Sequence, residues 1–215
     1  SDVSFQVSEK SCVSIIGATG AGKTTLLKTI SGIVTSNAGE IEFEGINITG
    51  KRPDQIVKMG IAHCPEGRRV FPAMTVRENL ELGGLVNRAE TGRLIGECCG
   101  LFPRLGERID QLAGTMSGGG QQMLAIARAL MSSPKILMFD EPSLGLAPNI
   151  VEEVGRIIID LKARGDTILL VEQNAFMAMS ISDYTYVLEN GEIKKHGPSS
   201  ELLNDDYIRQ AYLGI

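Results

Sequence analysis

The stretch that decides the fold reads VSIIGATGAGKT and occupies residues 13–24. It joins an apolar, β-branched run, Val13–Ile16, to the pattern G-x-x-x-x-G-K-[ST] and then to a helical pattern over Lys23–Ile33. Between a strand and a helix, such glycines let backbone N–H groups wrap an anion, and the helix N-terminus adds the positive end of its dipole. Lys23 would reach the β- and γ-phosphates and the Thr24 hydroxyl would hold Mg²⁺. The candidate phosphate-binding residues are Gly17, Ala18, Thr19, Gly20, Ala21, Gly22, Lys23 and Thr24.

Two acids follow another apolar run, Ile136–Phe139, and are candidates for the metal and the chemistry. Asp140 comes directly after that run, and Glu141 comes next. An Asp at the end of a strand can orient Mg²⁺ through water, and an adjacent Glu can polarise an attacking water. Strands often end in acids, so this pair indicates a site only because a phosphate loop lies upstream.

The rest of the chain alternates short β-branched runs with longer helical patterns, which predicts an α/β protein with a parallel sheet. The predicted strands are Val13–Ile16, Ile61–His63, Ile136–Phe139, Thr167–Val171 and Tyr184–Leu188, with two hairpins formed by Glu40–Phe43 with Ile46–Ile48 and by Tyr184–Leu188 with Glu192–His196. Between Thr75 and Ser133 the pattern is helical, without a strand. We therefore predict one domain over residues 1–215, with a core of 1–70 and 134–215 and an inserted helical subdomain of about 71–133.

Composition excludes several classes of protein. The 215 residues hold 26 acids against 21 Lys and Arg, a net charge of −5, which disfavours a nucleic-acid binder. The apolar fraction of 43% argues against intrinsic disorder. The four cysteines, Cys12, Cys64, Cys98 and Cys99, lack C-x-x-C spacing, so they are interpreted as small apolar fillers and not as zinc ligands.

A second glycine-rich run, MSGGGQQ at Met116–Gln122, comes just before a predicted helix. A serine and glycines at a helix start form an anion site, because the first helical N–H groups lack internal partners. The alternative is an N-cap serine on a flexible turn. Since one nucleotide cannot use both loops of a single chain, the run predicts two copies arranged head to tail.

Together, these motifs resemble those of the ABC transporter ATP-binding subunits, especially the type that serves branched-chain amino acid uptake. The resemblance covers essentially the whole chain, and its landmarks are GATGAGKTT, CPEGRRVFPAMTVRENLELG, LFPRLGERIDQLAGTMSGGGQQMLAIARALMSSP, ILMFDEPSLGLAP, LLVEQNA, YVLENGEI and AYLG. It implies a P-loop NTPase fold of the ABC ATPase type, with a parallel core sheet, a small antiparallel part and an inserted helical subdomain. It also implies ATP as substrate and Mg²⁺ as cofactor.

The resemblance further implies a role for particular residues. Thr25 joins Lys23 and Thr24 at the phosphates, Asp140 orients Mg²⁺, and Glu141 is the general base. Glu66 stands at a catalytic and metal-contacting position that is glutamine in most of the family, and Gln173 stands where most members carry a switch histidine. The signature residues that would contact the γ-phosphate held by a partner domain are Ser117, Gly118, Gly119 and Gln121, while Ser143–Leu146 would lie in the dimer-contacting loop.

Two departures from the family pattern lead to further expectations. Gly120 stands where this subtype has Glu, which would loosen the following helix by up to ~1 kcal/mol. Family members also begin with a strand and an aromatic residue that stacks on adenine; Ser1 falls after that point, and Phe5 is too close to the phosphate loop to be the equivalent. We therefore expect either that the N-terminal strand region has been cut off or that base binding is weak.

The leading hypothesis is a cytoplasmic ATPase, peripheral on the inner face of the cell membrane, that drives an importer. Its expected partners are transmembrane permease subunits, a second nucleotide-binding domain of the same or a different kind, and indirectly a solute-binding protein; nucleic acid is not expected. In the family, the Glu66–Pro72 region and the helical insertion meet the permease, so Val70-Phe71-Pro72 is a candidate docking patch. The alternatives are an ABC ATPase for a different cargo, a nucleotide-dependent interaction module with little turnover, and a P-loop kinase or GTPase. The last leaves Ser117–Gln122 unexplained, and the chain has no N-K-x-D guanine signal.

Overall fold

The computed structural model describes residues 3–213 and divides them into two compact units. The first unit combines the chain up to Leu27 with the chain from Met138 onward, and the second spans Lys28–Leu137. The predicted α/β class is confirmed by a mainly parallel sheet with surrounding helices. Within the described range, no helix is at once long and apolar enough to cross a lipid bilayer.

The strands follow the sequence prediction closely in the core and less closely at the hairpins. Their bounds are β1 (Cys12–Ile16), β2 (Glu42–Phe43), β3 (Ile46–Asn47), β4 (Ile61–Cys64), β5 (Ile136–Asp140), β6 (Thr167–Glu172), β7 (Tyr184–Glu189) and β8 (Glu192–Pro198). The first hairpin is shorter than the predicted Glu40–Phe43 and Ile46–Ile48, while β8 runs past the predicted end at His196.

The helices are α1 (Lys23–Ile30), α2 (Pro53–Lys58), α3 (Val76–Gly83), α4 (Thr91–Leu101), α5 (Pro103–Gly106), α6 (Gly118–Leu130), α7 (Pro148–Ala163), α8 (Ala175–Ile181), α9 (Ser199–Leu202) and α10 (Asp206–Ile208), with 3₁₀ turns at Gly84–Glu90 and Ala113–Thr115 and a π turn at Arg209–Leu213. The predicted end of the first helix at Ile33 is wrong. Helix α1 stops three residues earlier because Gly32 adopts φ +73°, and the N–H groups of Ile33 and Val34 both donate to the Lys28 carbonyl. This is the geometry of a glycine C-cap.

The sheet of the first unit has β1 at its centre. Strand β1 pairs in parallel with β6 on one side and with β7 on the other, and β8 folds back antiparallel onto β7. Every residue of β1 and β6 is buried, as expected for parallel strands covered on both faces. Strand β5 belongs to the same sheet, and the Glu141 N–H just past its end donates to the Val171 carbonyl near the end of β6. The carboxyl ends of β1, β5 and β6 therefore lie at one edge of the sheet. The residues that the sequence predicted to act in phosphate chemistry lie at that edge.

A network of buried hydroxyl groups includes residues of this sheet. Ser14 and Thr185, which are both 0% exposed, lie 2.7 Å apart, and Ser199 lies 2.7 Å from Thr185. Ser182 contacts Ser14, Thr185 and Ser199 at 2.9, 3.3 and 3.0 Å, and it donates to the Ala178 carbonyl. Mutual hydrogen bonding allows these polar groups to be buried without the cost of an unpaired donor.

In the second unit, β4 runs beside the beginning of β5, where the N–H groups of Lys135 and Ile136 both donate to the Gly60 carbonyl. Helices α3 to α6 follow β4, and between Thr75 and Ser133 the structure has only an isolated bridge, Thr75–Leu112, in place of strands. The domain boundaries derived from the sequence, with a helical subdomain of about 71–133, stay a prediction.

The cysteines are free thiols, as the sequence interpretation proposed. Cys12, Cys64 and Cys98 are buried and Cys99 is half-buried. Burial raises the pKa of the Cys12 thiol to about 12, with a smaller opposing effect from Lys162 and a small further increase from Asp183. A thiol in that state is unreactive at neutral pH.

Candidate active site

The loop between β1 and α1 has the backbone conformation that an anion cradle requires. Gly20 and Gly22 adopt φ +83° and +107°, which residues with a Cβ rarely reach. Gly17 is required for a different reason: a Cβ there would lie 2.3 Å from the carbonyl oxygen of Leu188 on β7. The loop therefore depends both on its own glycines and on the strand beside it.

The tip of the β7–β8 hairpin supports this loop from outside. Asn190 and Gly191 form the tight turn, both with positive φ, and the Gly191 N–H donates to the Ala21 carbonyl at 2.9 Å. The last residue of β7, Glu189, accepts hydrogen bonds of 2.6 Å from the hydroxyl groups of both Tyr207 and Tyr212. These hydrogen bonds, from Tyr207 first, lower the pKa of the Glu189 carboxyl. The end of the described chain is thus tied to the turn that supports the loop.

Lys23 places its ammonium group among oxygen atoms at the beginning of α1. The Nζ atom donates to the carbonyls of Gly17 and Ala18 at 2.7 and 3.1 Å and lies 3.0 Å from Oε1 of Glu141. The two side chains of this ion pair are only 3% and 10% exposed. A buried cation and a buried carboxylate are therefore held together at the phosphate loop, where each compensates part of the other's desolvation.

The Thr24 hydroxyl donates to Oδ1 of Asp140 at 2.9 Å, and the Asp140 side chain is 1% exposed. A hydroxyl and a carboxylate are oxygen ligands that suit Mg²⁺, which takes one or two carboxylates together with substrate phosphates and waters. Among the described residues, no group of three or more His, Cys, Asp or Glu forms a metal cage. This pair fits a metal that is bound with its nucleotide.

Glu141 lies just past the end of β5 in a strained backbone conformation. Its φ is +46°, unusual for a residue with a side chain, and its N–H donates to the Val171 carbonyl of β6 at 2.8 Å. Such strain costs about 1–3 kcal/mol and is often found at functional sites. The conformation turns the Glu141 carboxylate to Lys23.

Gln173 directly follows β6, and its side chain meets the phosphate loop. The Thr19 hydroxyl donates to Oε1 of Gln173 at 3.2 Å, and Gln173 is exposed. The structure thus brings together the loop, Asp140, Glu141 and Gln173 within the first unit. Thr25, the third residue of α1, is exposed.

Glu172, between Val171 and Gln173, is a polar residue that the sequence interpretation missed. It is 1% exposed, and its Oε1 accepts from the Ser143 N–H at 2.9 Å while its Oε2 accepts from Gln173 and Asn174 N–H at 3.1 and 3.3 Å. Burial raises the pKa of this carboxyl, although hydrogen bonds from Ser143, Asn174 and Gln173 oppose the increase. A glutamate that ends an otherwise apolar strand is the signal that could have revealed it.

The glycine-rich run of the second unit lies only partly before α6, whereas the sequence predicted that all of it precedes the helix. Met116 and Ser117 precede α6, and Gly118–Gln122 belong to it. Ser117 is the exposed N-cap, and its hydroxyl accepts from the Gly120 N–H at 3.2 Å. Helix α6 therefore begins at Gly118, and Gly119 is buried. Gln121 donates from its amide to the Ala113 carbonyl at 3.2 Å. The N-cap interpretation and an anion site remain compatible, because the cap leaves helix N–H groups at the same end.

Glu66 is exposed and lies in the loop after β4, in the second unit. The loop continues through Gly67, Arg68 and Arg69, which all have positive φ. The Arg128 guanidinium of α6 donates to the Arg69 carbonyl. It also lies 5.1 Å from the centre of the Phe71 ring, a cation–π distance. The patch that includes Phe71, which is 47% exposed, is thereby fixed to α6.

Phe5 packs against β7, with its ring centre 5.8 Å from that of Tyr186 in an edge-on arrangement. Tyr186 is 6% exposed and forms further ring contacts with Tyr184 and His196. Phe5 is therefore engaged in an aromatic cluster on β7 and β8.

Comparison with known proteins gives concordant results. A family model described as ABC transporter matches residues 1–144. The chain is similar to the high-affinity branched-chain amino acid transport ATP-binding protein BraG of Pseudomonas aeruginosa, with 50% identity over 99% of this chain and 92% of BraG. Among solved structures, it resembles the ADP conformation of MJ1267, an ATP-binding cassette of an ABC transporter, with a TM-score of 0.85 and 29% identity over 99% of this chain and 91% of that one. It also resembles the dimeric post-hydrolysis state of the cassette MJ0796 bound to ADP and Pi, with a TM-score of 0.81 and 25% identity over 92% of this chain and 89% of that one.

Proposed function

Because this chain belongs to the ABC transporter family and is an ATPase subunit of that family, we propose that it energises a membrane importer for branched-chain amino acids. The cargo rests on the likeness to BraG over nearly the whole length of both chains. The observation that carries the catalytic assignment is the contact between Lys23 and Glu141 at 3.0 Å beside the Thr24–Asp140 pair.

Hydrolysis uses groups that the first unit holds together. Glu141 takes a proton from a water molecule, the water oxygen attacks the γ-phosphorus of ATP, and the bond to the bridging oxygen of ADP breaks. Lys23 exchanges the Glu141 carboxylate for the phosphates, which frees the base as substrate enters. Loop N–H groups from Gly17 to Thr24 bind the phosphate oxygens, and Gln173 offers its amide to the γ-phosphate.

Thr24 and Asp140 would hold Mg²⁺. A further metal contact by Glu66 rests on the family resemblance alone, because Glu66 belongs to the other unit. The metal neutralises charge on the phosphates when it is bound. Thr25 completes the phosphate contacts at the beginning of α1.

A second nucleotide-binding domain, identical or different, supplies the signature groups of Ser117, Gly118, Gly119 and Gln121 to the nucleotide of the first, head to tail. The dimeric structure of the cassette MJ0796 with ADP and Pi supports the pairing of two such domains. The pair works at the inner, cytoplasmic face of the membrane with transmembrane permease subunits. A solute-binding protein delivers cargo to those subunits from the other side.

Replacing the proposed general base tests this function. Glu141→Gln should lower ATP hydrolysis by ~100-fold or more, because an amide cannot accept the proton from water. The variant should still bind ATP and accumulate as an ATP-bound dimer in size-exclusion chromatography. The matched control is Glu152→Gln on α7, since Glu152 is 75% exposed and should leave phosphate release unchanged. Undiminished hydrolysis by Glu141→Gln would refute the assignment, and slow turnover by the unmodified protein with its permease would favour a nucleotide-dependent interaction module.

A further inference from the structure

The strongest unassigned feature of the site is the buried carboxylate at the end of β6. Glu172 pairs in the sheet with Ile16, the last residue before the phosphate loop. Its two carboxylate oxygen atoms bind two different loops at the same edge of the sheet. One accepts from Ser143, in the loop after Glu141, and the other accepts from Gln173 and Asn174.

We propose that Glu172 is a positioning residue that fixes the Gln173 backbone relative to the loop from Glu141 to Leu146. The inference rests on the proposed roles of Gln173 and Glu141 in hydrolysis. One carboxylate makes both loops parts of a single hydrogen-bonded unit, so a displacement of Gln173 is transmitted to the loop that begins at Glu141. Ser143–Leu146 of this loop are the residues that, by the family resemblance, would contact a second nucleotide-binding domain.

The chemistry of the donors explains why the residue is a glutamate. Three backbone N–H groups donate to Glu172, the Ser143 hydroxyl is a further donor, and each N–H group requires an acceptor. A carboxylate offers acceptors on both oxygens, whereas a glutamine offers one oxygen and one NH₂ group. Whichever way a glutamine at this position turned, its NH₂ group would face an N–H donor of one loop. Glu172→Gln therefore breaks one of the two links at nearly constant volume.

The geometry also separates this role from nucleotide binding. None of the hydrogen bonds given above for Glu172 involves residues 17–24. On β1, Glu172 lies opposite Ile16 in the strand pairing. Loss of the link should therefore misplace the catalytic groups and leave the phosphate cradle intact. A fault of this kind reduces kcat more than it changes KM.

The experiment compares steady-state ATP hydrolysis of Glu172→Gln with that of Thr185→Val, normalised to the bound-nucleotide stoichiometry. Thr185 is a matched control because it is also a buried polar residue of the first unit but belongs to the hydroxyl network. We expect Glu172→Gln to lower kcat by about tenfold with KM changed by less than about twofold. The control should lose thermal stability and keep its kcat.

A double-mutant cycle with Gln173→Ala completes the test. If Glu172 acts through Gln173, the combined variant should lose less than the product of the two separate losses in kcat. A kcat for Glu172→Gln equal to that of the unmodified protein, or a combined loss equal to the product, overturns the proposal. Either result would leave the proposed ATPase function standing, because that function is tested separately, by Glu141→Gln and by the turnover of the unmodified protein.

Discussion

At the scale of single residues, the site combines groups whose environments are unfavourable on their own. Glu141 adopts a left-handed backbone conformation, Lys23 is buried, and Glu172 is a buried carboxylate with a raised pKa. Each is compensated by a particular partner: Glu141 and Lys23 compensate one another, and three N–H groups compensate Glu172. The arrangement is preorganised, since the protein has already oriented these dipoles and charges before substrate enters.

Gly120 provides a residue-scale prediction about the signature helix. It is the third residue of α6 after the Ser117 cap, where a Glu would complete a capping box with the Ser117 N–H. Gly120→Glu should therefore raise the free energy of unfolding by about 1–2 kcal/mol, through lower chain entropy in the unfolded state and a favourable charge at the helix N-terminus. A new Cβ meets the end of the Met116 side chain at 3.0 Å, which can move.

Urea unfolding measures this change, and Gly120→Ala is its control. Gly120→Ala should raise the free energy of unfolding only by the part that comes from backbone entropy, about 1 kcal/mol. A Glu variant no more stable than the Ala variant would show that no capping box forms.

At the scale of elements, the β7–β8 hairpin connects the C-terminal turns to the phosphate loop. Tyr207 and Tyr212 bind Glu189, the turn at Asn190-Gly191 follows, and Gly191 binds Ala21. Nucleotide affinity should thus depend on residues that never touch the nucleotide.

The double variant Tyr207→Phe/Tyr212→Phe tests this dependence. It should raise the ATP dissociation constant by roughly three- to tenfold, the equivalent of about one hydrogen bond, because the turn is held less firmly against the loop. Fluorescent-nucleotide titration measures the constant. Tyr184→Phe is the matched control, since its hydroxyl contacts His196 on the same hairpin at 2.6 Å but not the turn. An equal loss in both proteins would mean that the effect is not transmitted through Glu189.

The sequence predicted those elements whose signals are local. The central strands could be recognised because they are buried on both faces, and the phosphate loop because its glycine spacing leaves few alternatives. The early end of α1 could also have been predicted from Gly32, which lies two residues after the last helical residue. Glu172 could not be assigned a role, because its hydrogen bonds come mainly from backbone groups of two loops, one of them about 30 residues away, and no local motif encodes such contacts.

At the scale of the whole molecule, the functional groups divide between the two compact units. The phosphate loop, Asp140, Glu141 and Gln173 belong to the first unit, and Glu66, the signature run and the Phe71 patch belong to the second.

The second unit also contains His63, whose pKa makes the stability of the protein depend on pH. Burial, with a smaller effect from the positive charge of Lys28, lowers the pKa of His63 from 6.5 to about 4.

His63 makes the protein less stable as pH falls. Below pH 6.5, His63 is protonated in the unfolded chain, whereas in the folded chain it stays neutral down to about pH 4. The free energy of unfolding therefore falls between these two pH values and levels off below them. Between pH 7 and pH 5 the loss should reach up to about 2 kcal/mol. Urea unfolding at both pH values measures it, and His63→Gln should lose correspondingly less. If the two proteins showed the same pH dependence, another group would be responsible.

The state of the thiols has a practical consequence for spectroscopy. Cys12, Cys64 and Cys98 are buried and Cys99 is half-buried, so the thiols of the folded chain are poorly accessible to a maleimide dye or a thiol-reactive nitroxide label. A probe attached at an introduced surface cysteine would therefore report from that position with a low background. Distances between two labelled copies could then be followed through the ATP cycle in a chain that keeps its own cysteines.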